Sequence, residues 1–329
     1  MICSRLSKLE VAKLYTSKYV TECYILPLAN LPKTANTAKM NNLYAWVGYK
    51  NFGDELSFYL VQKITGKKFV LQKPPFLNKT LLAIGSILKP ITLSANSVIW
   101  GAGTLSSSSL DEPCHKIKIF PISRFIRQIR SSFVPKQPDI RAVRGPKTRE
   151  LFLKKGIPCP EVYGDPAILL PRYYVANRSK KKYKAGLILH HSQTIGVPTS
   201  VLKTIGILPI SILREGNREI EQFVNEVCSC EKIFSSSLHG IIVAQAYGVP
   251  AQWIQLERQS ILDDDAHKFE DYFLGANQIV QKPLRIPPPL SRRFTDSSIK
   301  HGTINQLVRI GRRATNGFSV RRIFLSSAA

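Results

Sequence analysis

The chain reads as an α/β protein made of two Rossmann-like, doubly wound domains that face each other across a cleft. Three observations predict this. Short apolar runs of strand length alternate with stretches whose apolar residues recur at helical spacing. Glycines close several of those runs, as at Gly85 and at Gly101-Ala102-Gly103, where backbone leaves a strand for a loop. Finally, 329 residues with 44% hydrophobic content can fill two cores. Strands alternating with helices favour parallel sheets covered on both faces, with ligands outside the carboxyl ends of the strands.

Taken in order, residues 1–39 carry weak periodicity and a loop-like Pro/Asn/Thr stretch at 30–37. They are expected to be an N-terminal extension, or an artefact of start-site choice, because Met40 directly precedes the first buried run. The first domain is expected over 40–170, beginning with the strand Leu43-Tyr44-Ala45-Trp46-Val47. A helix follows, in which Leu56, Tyr59, Leu60 and Ile64 share a face until Gly66 stops it. Further strands are expected at 81–84, 97–100, 117–121 and 140–143. Pro146 suits the first position of the next helix, which carries Leu151 and Phe152 and ends at Gly156. A basic stretch ending near Lys184 is expected to connect the domains.

The second domain is expected over 171–284, with strands at 185–190, 205–212, 232–235 and 250–256 and a helix at 218–228. No internal sequence repeat links the halves. A basic tail fills 285–329, and its segments 304–310 and 320–325 could be amphipathic. Such a tail suits packing against the first domain or lying on an anionic membrane surface.

The net charge of +25, from 47 Lys and Arg against 22 Asp and Glu, points to anionic partners. No finger, RNP-type or helix-turn-helix signature accompanies it, so no specific nucleic-acid binding is expected. The six cysteines lack CxxC spacing, which favours a reducing compartment. No apolar run is long enough to span a bilayer, and no h-region follows the N-terminal lysines. A cytoplasmic chain is expected, with the inner face of the membrane as a second station.

The densest local signal is Phe234-Ser235-Ser236-Ser237-Leu238-His239-Gly240, where a strand turns into a helix rich in small residues. Unpaired N–H groups, the positive end of the helix dipole, three serines and an imidazole make an anion site suited to a phosphate or carboxylate. Serines are also ordinary helix caps, and a lone histidine is often structural. Arg144, in Val143-Arg144-Gly145-Pro146, offers a bidentate fork for the same kinds of anion, or is a surface arginine beside a turn.

Six motifs in order resemble those of the polysaccharide pyruvyl transferase family: Asn51-Phe52-Gly53-Asp54-Glu55-Leu56, Trp100-Gly101-Ala102-Gly103, Val143-Arg144-Gly145-Pro146-Lys147-Thr148, Tyr163-Gly164-Asp165-Pro166-Ala167, Ser236-Ser237-Leu238-His239-Gly240 and Lys268-Phe269-Glu270-Asp271-Tyr272-Phe273. The resemblance covers most of 41–275. It implies a fold like that of the GT-B glycosyltransferases. It also implies transfer of a pyruvyl group from phosphoenolpyruvate to two hydroxyls of a sugar, with phosphate released and a pyruvate ketal formed. The acceptor would belong to a cell-surface polysaccharide, such as an exopolysaccharide or capsule, or to its lipid-linked precursor.

On that resemblance His239 is expected to be the general acid, kept protonated by an anionic neighbour, with Arg144 as donor clamp facing it across the cleft. Ser236, Ser237, Leu238, Gly240, Arg258 and Lys268 are expected around the donor, although Lys268 could equally pair with Glu270 or Asp271. Asp54 is expected to join His239 and Arg144 as a catalytic residue that orients the acceptor hydroxyls, and Asn51, Gly53, Glu55, Gly101 and Gly103 are assigned to acceptor binding, although carboxylates and Asn at a helix start also serve as caps. His190 and His191 end a strand and are expected to point opposite ways, so that at most one contributes. No metal or cofactor is expected.

Two other classes compete. A nucleotide-sugar glycosyltransferase of the same architecture would need a carboxylate for the ribose, for which Glu257 or Asp263-Asp264-Asp265 would serve. A non-enzymatic polyanion binder would explain the charge but not the ordered motifs.

Overall fold

The computed structural model describes residues 42–46, 48–111, 137–177, 181–194, 197–257 and 266–286. Its framework is two five-stranded, all-parallel sheets. The first holds β1 (Asn42–Leu43), β2 (Val70–Leu71), β3 (Thr80–Leu82), β4 (Ser97–Trp100) and β5 (Asp139–Ala142), in the order β2-β1-β3-β4-β5. The second holds β6 (Ala185–Ile188), β7 (Ile207–Pro209), β8 (Ile233–Ser235), β9 (Ala251–Leu256) and β10 (Leu284–Ile286), in the order β10-β9-β8-β6-β7. Counted from its own first strand, each sheet runs 2-1-3-4-5, the order of flavodoxin-like doubly wound sheets. The chain thus repeats one winding twice without a visible sequence repeat.

Alternation along the strands explains why they read as unbroken apolar runs. Leu81, Val98 and Trp100 point into a central core, while Leu82 and Ile99 point into a second one on the opposite face. In the other sheet Ile188 and Ile233 join the central core, whereas Ala185, Leu187 and Phe234 face a third. Sheets buried on both faces need apolar residues at every position.

Among the described residues six α-helices cover these faces: α1 (Phe52–Thr65), α2 (Pro146–Lys154), α3 (Thr199–Thr204), α4 (Gly216–Cys228), α5 (Leu238–Ala246) and α6 (Ala266–Gly275). Local chemistry sets the ends of α1. The Asn51 side chain accepts from Gly53 N, Asp54 and Glu55 occupy the positive first turn, and Gly66 closes the helix at φ 68°. In α4, Ile220, Phe223, Val224 and Val227 form one buried stripe.

The two halves interlock. Phe52 stacks on Phe223 with ring centroids 4.0 Å apart, and Tyr59 donates to Glu221 Oε1 at 2.8 Å, which seats α1 against α4. Backbone bonds run from Phe52 N to Ile212 O (2.8 Å) and from Arg214 N to Lys50 O (2.9 Å). Helix α6 lies between β9 and β10 of the second sheet in sequence yet packs on α2 beside the first.

Several expected elements differ in extent. Among the described residues of the run at 43–47 Leu43 alone lies in a strand, with Tyr44 N still donating to Leu81 O at 2.9 Å, and the runs at 81–84, 140–143, 185–190 and 205–212 outlast their strands. Their extra apolar residues, such as Ala83, Ile84 and Ile212, are buried loop, which hydrophobicity alone cannot separate from strand. Strands β2 and β10 are too short to show a period, and β10 carries the second sheet through Arg285 and Ile286, past the expected start of the tail. The expected strand at 117–121, the extension at 1–39, Arg258 and the tail beyond Ile286 lie outside the described residues. Among the described residues no helix is long and apolar enough to cross a membrane.

Candidate active site

The carboxyl ends of both sheets converge, and the strand order reverses beside β1/β3 and β6/β8. Two helix N-termini meet there. His239 is the second residue of α5, which follows β8, and its imidazole lies against Gly53 in the first turn of α1. A Cβ at Gly53 would overlap the ring at Nδ1 and Cε1, so glycine is what admits this close approach.

The strand-to-helix turn braces itself. Ser235 Oγ accepts from Ser237 N (3.0 Å) and donates to Ser237 O (2.8 Å). Ser236 Oγ accepts from His190 N (3.0 Å) and donates to Gln193 Oε1 (2.6 Å). Both hydroxyls are therefore committed to shaping the turn, and Ser237 occupies the N-cap position without a side-chain capping bond. Leu238 is buried in the core, and a Cβ at Gly240 would displace the Ser235 hydroxyl.

Beside His239 stands Asp165. Its Oδ1 accepts from Ala167 N at 3.0 Å and caps the 3-10 helix Pro166–Arg172, while Oδ2 is buried with no hydrogen-bond partner among the described residues. That oxygen is 3.8 Å from His239 Nε2, which is likewise buried and unbonded. Burial, followed by the charges of Arg144 and Lys268, lowers the His239 pKa to about 3. Burial also pushes Asp165 up to about 7, against the Ala167 bond and Arg144 and with help from Asp271. Desolvation outweighs mutual attraction, so the pair is a neutral imidazole beside a half-protonated carboxyl rather than an ion pair. The Asp165 carboxyl is thus too weakly ionised to keep His239 cationic, contrary to the expectation of an anionic neighbour.

Arg144 is fully buried. Its Nε donates to Asp271 Oδ2 (3.0 Å), Nη1 to Ser86 Oγ (2.7 Å) and Nη2 to Thr104 O (2.5 Å), with the guanidinium lying on Gly103. Asp271 also accepts from Thr148 N (2.9 Å) and Thr148 Oγ1 (2.7 Å), and Thr104 Oγ1 meets His267 Nε2 at 2.8 Å. The expected open fork is therefore engaged by protein groups, because α6 brings a carboxylate to it. Arg144 acts on His239 and Asp165 through its field.

Lys268, one residue beyond His267 on α6, is buried and adds positive potential at His190, His191 and His239. Glu270 pairs with Lys147 and Asp271 with Arg144. Asp54 sits near the ends of β1 and β3. Burial raises it to about 7, with Glu55 adding to the rise and bonds to the Trp46 backbone and the Asn51 side chain opposing it. Glu55 instead accepts from Gly216 N at 3.3 Å, at the start of α4. Gly101, at φ 92°, packs against Pro166 and Gly164.

His190 and His191 do not face opposite ways. β6 ends at Ile188, so the alternation of a strand no longer applies, and their rings lie 4.1 Å apart, with His191 4.6 Å from Tyr49. Both are held neutral by burial and Lys268, His190 at about 3. Among the described residues no three His, Cys, Asp or Glu side chains cluster as a metal site.

The family model for polysaccharide pyruvyl transferases matches residues 51–255. The chain belongs to the polysaccharide pyruvyl transferase family. That span contains Asn51, Gly53, Asp54, Arg144, Asp165 and His239, while α6 with Lys268 and Asp271 lies just beyond it. An uncharacterized protein of Acanthamoeba polyphaga mimivirus is 28% identical over 230 residues, 68% of this chain and 69% of that protein. The succinoglycan biosynthesis protein ExoV of Rhizobium meliloti is 27% identical over 155 residues, 46% of this chain and 45% of that protein. No solved structure matches. As a polysaccharide pyruvyl transferase the chain is an enzyme, and the convergence of α1, α5 and the Arg144 network is its candidate site.

Within that site, Asp165, Asp271, Ser86 and Thr104 did not stand out as site residues in the sequence. Asp165-Pro166 reads as an ordinary cap followed by proline at the first helical position. It does form that cap, with one carboxyl oxygen. Nothing local reveals that the other oxygen faces His239.

Proposed function

We propose that the enzyme moves the pyruvyl group of phosphoenolpyruvate onto two hydroxyls of one sugar, in a cleft between two halves arranged as in GT-B glycosyltransferases. The domains are taken as 40–170 and 171–284. The observation that carries the proposal is His239 at the N-terminus of α5, under the field of Arg144 and Lys268 and against α1 of the other half. Helix N-termini and buried cations favour a ligand bearing phosphate and carboxylate.

The reaction adds one sugar hydroxyl to C2 of the enol while C3 receives a proton. A second hydroxyl then displaces phosphate from C2, and the methylene becomes the methyl group of the ketal. His239 delivers the proton to C3, and Asp54, near neutrality in its titration, takes a proton from an attacking hydroxyl. Positive charge developing at C2 is balanced by the donor's own carboxylate and phosphate, which the α5 N-terminus holds under the field of Arg144 and Lys268.

ExoV acts in succinoglycan biosynthesis by its name, and the acceptor here is proposed to be a saccharide of a surface polysaccharide, free or lipid-linked. A cytoplasmic enzyme whose basic tail, 285–329, touches the inner face of the membrane would meet such an acceptor there. The test is thermal: phosphoenolpyruvate should raise the melting temperature of the full chain and uridine diphosphate should not. Stabilisation by the nucleotide alone would sink the proposal in favour of a glycosyltransferase.

A further inference from the structure

A histidine buried under two cations makes a poor acid at neutral pH, yet the proposed reaction, on which this inference rests, needs one. Asp165 resolves the conflict. Its Oδ2 and His239 Nε2 are both buried, both without a hydrogen-bond partner among the described residues, and 3.8 Å apart, just outside hydrogen-bond distance, so a small tilt of the ring joins them. Oδ1 remains on Ala167 N throughout. Two orphaned polar atoms that face each other are costly unless they share something.

We propose that Asp165 is the proton reservoir of His239, acting through Nε2 of the imidazole while Nδ1 faces the substrate. In the resting pair the Asp165 O–H donates to Nε2, and Nδ1 carries the ring's proton beside Gly53. As Nδ1 gives that proton to the enol carbon, the Asp165 O–H bond breaks and Nε2–H forms. The pair ends as a carboxylate and a neutral imidazole protonated on Nε2, and no isolated imidazolium is formed in the buried site. A proton from solvent restores the acid.

Asp165 is thus a positioning and proton-supplying residue rather than one that touches substrate. The charged and titratable groups facing the pair are Arg144 beyond β5, and Lys268, Asp271 and Tyr272 on α6. Arg144 opposes protonation of the carboxyl and Asp271 favours it, while Arg144 and Lys268 disfavour an imidazolium. A neutral pair holding one transferable proton is the state that this surrounding field allows.

The informative variant is Asp165→Asn. Its amide oxygen keeps the Ala167 cap and its amide nitrogen can still donate to Nε2, so geometry and tautomer survive while the acid proton is lost. Infrared spectra and imidazole 15N NMR of the full chain, recorded across neutral pH without donor or acceptor, give the readout. In the wild type a protonated-carboxyl band should bleach as pH rises through about 7, and the His239 resonances should move with it. Asp165→Asn should remove that share of the band and leave His239 without a transition there, Asp54 retaining its own share. Unchanged His239 titration in the variant, or an undiminished band, overturns the proposal. Should Asp165→Asn fail to fold, His239→Gln serves instead: the Asp165 midpoint must move, and an unmoved midpoint is equally fatal. Phosphoenolpyruvate stabilisation is measured separately on the same samples, so a protein that passes spectroscopically but ignores the donor refutes pyruvyl transfer and not the pair.

Discussion

Replacing Arg144 by Met should unfold the molecule more readily before it says anything about ligands. The guanidinium and the Asp271 carboxylate are both 0% exposed and 3.0 Å apart, and the arginine also satisfies Ser86 and the Thr104 carbonyl. Methionine fills much of the volume but strands a buried carboxylate, a loss of about 3 to 5 kcal/mol. Asp271→Asn keeps an acceptor for Thr148 N, so the double variant Arg144→Met/Asp271→Asn should be less damaged than the sum of the singles by about 1 to 3 kcal/mol. Urea unfolding followed by fluorescence suits the purpose, because Trp253 in β9 stacks on Phe269 of α6 at 4.4 Å and reports whether that helix is docked. A loss below about 1 kcal/mol in the single variant would refute the reasoning. If phosphoenolpyruvate affinity alone then fell, Arg144 would be a ligand-binding arm whose present partners are dispensable.

His239→Gln should abolish phosphate release with a competent acceptor while phosphoenolpyruvate still stabilises the protein, and turnover near the wild-type rate would remove the general acid from the mechanism. Gly53→Ala should push the imidazole from its place, costing about 1 to 3 kcal/mol and most of the activity; near-normal turnover would show that the ring has room to spare. Asp165 binds in the fold a proton that the unfolded chain releases above 3.8, so its contribution to stability is complete below that pH and is lost as pH rises to about 7, at about 1.4 kcal/mol per unit. Asp165→Asn should therefore lose less stability than the wild type between about pH 4.5 and about pH 6.5, and parallel urea profiles would contradict the raised pKa. His239 has the opposite sign: its neutral form is favoured by the fold, so its removal should flatten a rise in stability between about 3 and 6.5.

Much of this was legible along the chain because it depends on groups a few residues apart. Strand β4 lies where the apolar run Val98-Ile99-Trp100 precedes Gly101, and α1 begins and ends at its Asn51 cap and at Gly66. The turn from β8 into α5 put His239 at a helix N-terminus by local patterning, and the ordered motifs were sufficient to indicate the family. Steric limits on φ and ψ, capping bonds and apolar periodicity act within a turn or two, so a single chain displays them.

Tertiary structure decided the rest, because it alone sets which distant groups share a buried volume. Arg144 meets Asp271 across 127 residues, and that contact turns an expected ligand fork into an anchored cation. Gly53 matters because His239 lies on it, and His190 sits beside His191 because β6 stops early. Asp165 reads as a plain cap until its second oxygen is seen facing an imidazole. The sequence names the ionisable groups; their protonation follows from desolvation and from the field of neighbours that only the fold brings together.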